Sequence, residues 1–237
     1  MMARRKALIC SFIALLVVSS CRAQDSPTTN NPSSDTVVST TPPFQTKEPE
    51  RYRATRTITN VTADGKSHVI KHSIAKDGEM RRFESHYESG TLVLLNGPQG
   101  RFIVLPGEKI YADQAGEAPP GSSYEDESSP ERLLHTDGGN SSYQKLGSES
   151  ISGRKTEKYR VVVNGANTGN VSSSETLIWI DEALGMPIRS ETKSSDGSRS
   201  TMELSDISLE VDKNLFQIPG DYKRITRAEM LQRLAIW

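Results

Sequence analysis

Glycine turns at short intervals constrain the fold of this chain more than any other feature. Turn sequences at Asp64-Gly65, Asp77-Gly78 and Ser89-Gly90 separate β-prone runs, which indicates strands joined by tight hairpins. Because such short turns join only antiparallel strands, the first half of the domain is predicted to be an antiparallel meander. Its predicted strands are residues 51–60, 67–76, 80–88, 91–95, 101–105 and 109–113.

Two of these runs, 91–95 and 101–105, are apolar at nearly every position. A strand that is apolar on both of its faces is typical of the centre of a sheet that is covered on both sides. These runs are therefore predicted to lie at such a place.

A second series of strands is predicted after residue 140. Tyr159, Val161 and Val163 share one face of a strand, because side chains two residues apart point the same way. Residues 176–180 are predicted to pair with 186–193, and Asp181 is interpreted as the residue that caps the intervening turn.

The last part of this series bends. The apolar phase slips at Ser205-Asp206, which predicts a β-bulge, and residues 215–219 are predicted to close the sheet as a final strand. A single antiparallel sheet of about ten strands must curl to cover its own face. The predicted fold of residues 50–223 is therefore mainly β, either a single curved antiparallel sheet or a half-open β-barrel.

Residues 224–237 are predicted to form a short C-terminal helix. Thr226 and Glu229 have the spacing of a capping box, and Met230, Leu234 and Trp237 form an apolar stripe. Because so short a helix is marginal alone in water, we expect it to dock on the sheet or at its open mouth. A frayed tail, or a helix that waits for a partner protein, is the alternative.

The N-terminus has the features of an export signal. Basic residues at positions 4–6 precede an apolar run, 7–20, which is too short to span a bilayer as a helix. Its end, Val18-Ser19-Ser20-Cys21, resembles the bacterial lipobox. The resemblance implies that residues 1–20 are a lipoprotein signal peptide and that Cys21 carries lipid as the first mature residue. An ordinary signal peptide that ends near a cysteine is the alternative.

Residues 21–49 are interpreted as the lipidated Cys21 followed by a disordered tether. This stretch is rich in Ser, Thr, Pro and Asn and cannot bury enough apolar surface to offset its ordering entropy. Several acyl chains would anchor the protein stably without a transmembrane helix. Arg22 stands where an Asp would signal inner-membrane retention, which favours the outer membrane, facing the periplasm.

Composition excludes some classes of function. The chain has 29 basic and 30 acidic residues and a net charge of -1, which argues against a dedicated nucleic-acid binder. Cys10 leaves with the predicted signal and Cys21 is the lipid site. The mature domain then has no thiol for a disulfide, a metal or a nucleophile.

No residue pattern points to catalysis. His68 and His72 share a face of a predicted strand but stand about 13 Å apart, too far to share a metal. We interpret these two, His86 and His135 as surface histidines. No nucleophile elbow and no phosphate-binding glycine loop is present in the sequence. We therefore expect no enzyme activity, no metal and no cofactor.

Three segments resemble the Lol-type lipoprotein-carrier superfamily, in its uncharacterised branch similar to outer-membrane lipoprotein-sorting proteins. They are residues 143–161 with Tyr143-Gln144-Lys145-Leu146-Gly147, residues 177–188 with Ile178-Trp179-Ile180-Asp181, and residues 212–222 with Phe216-Gln217-Ile218-Pro219. The resemblance implies an unclosed antiparallel barrel that binds acyl chains or other apolar ligands in its concavity. Typical carriers begin with a helix that plugs the barrel, whereas this chain has the predicted tether at that place.

Two functional interpretations follow. In the first, a membrane-anchored lipoprotein of the cell envelope binds a lipid, an acyl chain or a lipoprotein ligand on its concave sheet. In the second, the domain is a non-enzymatic envelope interaction or sensor module whose core is filled. Apolar inward-facing residues serve both, so the sequence leaves the two open.

Overall fold

The computed structural model describes residues 38–114, 141–163 and 174–235, which form one 13-stranded sheet and one α-helix. The strands are β1 (Val38–Ser39), β2 (Arg51–Val61), β3 (Ser67–Asp77), β4 (Met80–Tyr87), β5 (Gly90–Gly97), β6 (Gly100–Leu105), β7 (Ile110–Asp113), β8 (Ser141–Ile151), β9 (Arg154–Val163), β10 (Ser174–Asp181), β11 (Pro187–Ser194), β12 (Arg199–Ser208) and β13 (Lys223–Arg224). The helix is α1 (Arg227–Leu234).

Two meanders make up the sheet. Strands β2 to β7 follow one another in space, strands β8 to β12 do the same, and β12 pairs with β2 to join the two halves. All pairings are antiparallel except that of β13 with β7. The predicted single curved antiparallel sheet is confirmed, and the half-open barrel stays a prediction.

The turns and the bulge lie where the sequence predicts them. Gly65 and Gly78 have φ angles of 84° and 62°, which the hairpin turns require and which glycine adopts without strain. The β12–β2 register shifts between Ser205 and Ser208, and Asp206 has a φ of 53° there. The predicted bulge is therefore confirmed.

Cross-strand partners that share one face can be followed from β7 to β9, in two rows that meet on β2. One row passes from Ala112 through Ile103, Leu94, Phe83, Ile74 and Ala54 on one half, and the second passes from Ile58 through Met202, Ser190, Ile178 and Tyr159 on the other. We call this the inner face and the opposite one the outer face.

The outer face of β5 and β6 is covered by a 3₁₀ turn, Lys213–Phe216. Phe216 packs on Val93, Leu95 and Val104, so the outer face of these strands is buried, whereas Leu94 and Ile103 on the inner face are only partly buried. The predicted cover on both faces is thus complete only on the outer face. The prediction of a strand over residues 215–219 is wrong, because this segment crosses the sheet instead of pairing with it. Gly97 allows the crossing, since a Cβ there would collide with the carbonyl oxygen of Phe216.

Helix α1 docks on the inner face at the β5–β7 end, as expected. The capping box of Thr226 and Glu229 forms, and Met230 is fully buried against Leu105 and Ala112. Trp237 lies outside the described residues.

Residues 1–37 also lie outside the described part of the chain, including the predicted signal peptide, Cys21 and most of the predicted tether. Among the residues that are described, no helix is both long and apolar enough to cross a bilayer.

Candidate functional site

The inner face is apolar along nearly its whole width. Side chains from β2, β3, β4, β11 and β12 form one buried cluster, those from β8, β9 and β10 form a second, and those from β5, β6 and β7 form a third with α1. Side chains of strands β4 and β11 belong to the same cluster although three strands lie between them. Such burial on one face indicates that the sheet curves around it.

The burial of side chains on the inner face decreases from one end of the strands to the other. Near the β10–β11 turn, Tyr52, Met186 and Ile188 are fully buried. At the opposite end, near the β2–β3 turn, Ile58 and Ile70 are only partly buried. One end of this face is therefore filled, whereas apolar surface remains accessible at the other end.

A pocket of about 920 Å³ opens at the accessible end. Ile70, Leu92 and Tyr87 line it from the sheet, and Leu234 lines it from the end of α1. His68 is at its polar margin. Its size is in the range of small-molecule sites, and its walls suit an apolar ligand.

Polar side chains interrupt the inner face between its two ends. His72 is buried, its ring stacks on Phe83 with 4.6 Å between centroids, and its Nδ1 lies 3.0 Å from the Oγ of Ser85. The Arg56 guanidinium carbon lies 5.1 Å from the centroid of the same phenylalanine ring. Burial, together with the charges of Arg56 and His86, lowers the pKa of His72 to about 4.

The prediction that the histidines lie on the surface is therefore wrong for His72, which is buried. The residue shares the strand phase of Ile70 and Ile74, so the alternation of β3 was the signal that could have placed it inside. His68 is exposed, as expected, and His135 lies outside the described residues.

Residues 38–49 cross the inner face, and we call them the strap. Val38–Ser39 pairs with β8, and Phe44 packs against the rings of Tyr143 and Tyr159 with centroid distances of 6.0 and 4.7 Å. The backbone N–H of Lys47 donates to the carbonyl of Gly185 at 3.0 Å. The expectation that the disordered tether extends to residue 49 is therefore wrong for the strap, because its apolar and charged side chains find partners on the sheet.

The strap ends at a buried carboxylate. Arg81 donates two hydrogen bonds to Glu48, Lys76 Nζ lies 3.4 Å from its Oε2, and the Tyr52 hydroxyl donates to its Oε1 at 2.6 Å. Burial alone would raise the pKa of Glu48, but the hydrogen bonds and charges of Arg81 and its other partners lower it overall. Burial and the Glu48 carboxylate raise the pKa of Tyr52.

Asp181 has the structural role that the sequence predicts. Its Oδ1 accepts hydrogen bonds from the backbone N–H groups of Ala183 and Leu184 at 2.9 and 2.8 Å, which caps the β10–β11 turn. Its second oxygen pairs with Arg154. With its carboxylate fully used in this way, Asp181 is not a candidate base.

Trp179 lies on the outer face of the other half of the sheet. Its indole N–H donates to Glu149, and the charged ends of Lys158 and Arg189 lie 4.5 and 5.2 Å from its ring. Charged side chains therefore cover this part of the outer face, and the contacts of Trp179 have a structural role.

The described residues, 38–114, 141–163 and 174–235, contain no candidate metal site. They hold no group of three or more His, Cys, Asp or Glu side chains placed to bind a metal ion. The predicted lipid-attachment residue Cys21 lies outside these ranges.

No protein-family model and no curated protein matches the chain. Several solved structures do. They include a LolA-superfamily protein from Nitrosomonas europaea, at 11% identity over 70% of this chain and 90% of that one with a TM-score of 0.31. LprF from Mycobacterium bovis matches at 11% identity over 73% and 90% with a TM-score of 0.41. A chain of the Pseudomonas aeruginosa MucA/MucB complex matches at 16% over 75% and 59% with a TM-score of 0.43.

Proposed function

We propose that this protein is a non-enzymatic lipoprotein of the cell envelope that binds a lipid or acyl chain at the accessible end of its inner face. The observation that carries the proposal is the pocket beside α1, where Ile70, Leu92 and Leu234 leave apolar surface open to solvent. A concave, contiguous apolar surface that is open to solvent is typical of a ligand-binding site. Ile58 is partly buried and is the cross-strand partner of Ile70, which lines the pocket.

The test compares two neighbouring positions on β2. Ile58 points to the inner face, whereas Thr57 points to the outer face opposite Lys71. We expect Ile58→Asp to reduce both the lipid found by mass spectrometry in organic extracts of the protein and the binding of dansyl-undecanoic acid. Thr57→Asp should leave both unchanged. Equal binding by wild type and both variants would contradict the proposed site.

We further propose that Cys21 carries the lipid anchor and that the domain faces the periplasm from the outer membrane. The support is the lipobox together with the absence of any other cysteine beyond residue 20. Cys21→Ala should leave an uncleaved or soluble form, measured by detergent partitioning. Partitioning like that of wild type, with the signal removed, would overturn the anchor.

A second candidate function is an interaction or sensor module without a ligand. The filled end of the inner face, at Tyr52, Met186 and Ile188, favours it. In that case extracts would hold no lipid, and dansyl-undecanoic acid would not bind to wild type.

A further inference from the structure

We propose that the strap is a built-in competitor of the ligand, with Phe44 occupying the inner face of β8–β10 until an acyl chain displaces it. This inference rests on the proposed function. It assigns a second, covered part of the binding surface and a segment that regulates access to it.

The surface beneath Phe44 has the composition of an apolar binding site. Tyr143, Tyr159, Val161 and Ile178 are buried there and belong to one cluster, with Phe44 and Val163 packed against it. Phe44 is itself only partly buried and meets two tyrosine rings edge-on. Its side chain therefore sits on this surface rather than within a closed core.

The strap is held weakly before Phe44 and strongly after it. Its first end pairs through the two residues of β1, and the Val38 side chain is 61% exposed. Residues 40–43 are exposed as well. At its other end, Glu48 is fixed by Arg81, Lys76 and Tyr52. A segment with one weak end and one fixed end can pivot about Glu48 without unfolding the sheet.

Displacement of Phe44 would extend the accessible surface. The inner face is continuous from Val163 on β9 and Thr176 on β10 to Ile58 and Ile70 on the other half. A ligand that needs the surface under Phe44 binds only the fraction of molecules in which the strap has moved. Its apparent affinity is lowered by that fraction.

The experiment locks the strap with an introduced disulfide. Val38 and Gln144 are partners in the antiparallel pair, so their Cα atoms lie about 4.5–5.5 Å apart, a distance that a disulfide spans. Both side chains point away from the face that carries Tyr143. The full chain with Cys10→Ser and Cys21→Ser has no other cysteine and is the background for Val38→Cys/Gln144→Cys.

We expect the oxidised variant to bind dansyl-undecanoic acid at least about fivefold more weakly than the same sample after reduction. Adding Phe44→Ala to the oxidised variant should restore binding, because the side chain that covers the surface is gone. The control disulfide, Thr57→Cys/Lys71→Cys, joins β2 and β3 on the outer face and should leave affinity unchanged on oxidation. Circular dichroism of each form checks that the fold is retained.

Equal affinity of the oxidised and reduced forms would overturn this inference and leave the proposed function standing. A loss of affinity that Phe44→Ala does not restore would also overturn it. If no form, including wild type, binds the probe, the proposed function fails and this inference fails with it.

Discussion

His72 is the titratable side chain that most distinguishes the inner face from an ordinary apolar core. Its pKa of about 4 in the folded protein lies below the ordinary value of 6.5, so between these values the unfolded chain binds more protons than the folded one. The stability that the neutral, buried ring contributes is therefore present above pH 6.5 and is lost as the pH falls toward 4.

We predict that His72→Gln flattens the dependence of unfolding free energy on pH between pH 7 and 5. One proton gives a slope of at most about 1.4 kcal/mol per pH unit, measured by urea unfolding at each pH. His68→Gln, an exposed position on the same strand, should keep the wild-type slope. A wild-type slope in His72→Gln would contradict the prediction.

Glu48 is the second residue whose surroundings determine how much a substitution changes the stability of the protein. Its side chain neutralises Arg81 and Lys76, which are themselves mostly buried. Glu48→Ala leaves two like charges close together without their counterion, so we predict a loss of about 3 kcal/mol in unfolding free energy. Lys47→Ala removes an 82% exposed side chain and should change the free energy by less than about 0.5 kcal/mol. Chemical denaturation of both variants checks the pair, and similar values for the two would contradict the role of Glu48.

At the scale of elements, α1 illustrates how a short helix becomes stable. Its capping box satisfies the N-terminal backbone groups, and Arg233 forms an ion pair with Glu108 beside β7. The larger contribution comes from Met230, because an isolated helix of this length is marginal in water.

We predict that Met230→Ala lowers the unfolding free energy by about 3 kcal/mol, since it leaves a cavity between α1 and the sheet. The next residue, Leu231, is 51% exposed, and Leu231→Ala should have almost no effect. Thermal unfolding of the two variants is the measurement. Equal melting temperatures would show that α1 does not dock in solution.

At the scale of the whole molecule, the folded domain begins before residue 50, the boundary that composition suggests. A chain that starts at residue 38 keeps the strap, whereas one that starts at residue 50 loses both Phe44 and Glu48. We predict that the shorter chain is less stable by at least about 3 kcal/mol, because Arg81 and Lys76 lose their counterion. Removing residues 22–37 alone should have no such effect. The measurement is chemical denaturation of the chains that start at residues 38 and 50. Equal stability of these two chains would return the domain boundary to residue 50.

Local signals in the sequence determined most of the strands, the turns, the bulge at Asp206, the capping box and the role of Asp181. Each of these depends on residues that lie within a few positions of one another, so the chain specifies them without knowledge of the rest of the fold. Strand alternation also placed Tyr159, Val161 and Val163 on one face, and the same alternation groups the buried His72 with Ile70 and Ile74.

The tertiary structure alone decided the pairing of β12 with β2, the covering of the outer face by Phe216 and the path of the strap. Apolar side chains pack with many partners of similar size, so composition does not tell which strand edges meet. Glu48 shows this most clearly, because its counterions Arg81 and Lys76 lie about thirty residues away and meet it through the strand order. A segment that reads as a polar tether thus becomes part of the fold when distant strands bring its partners to it.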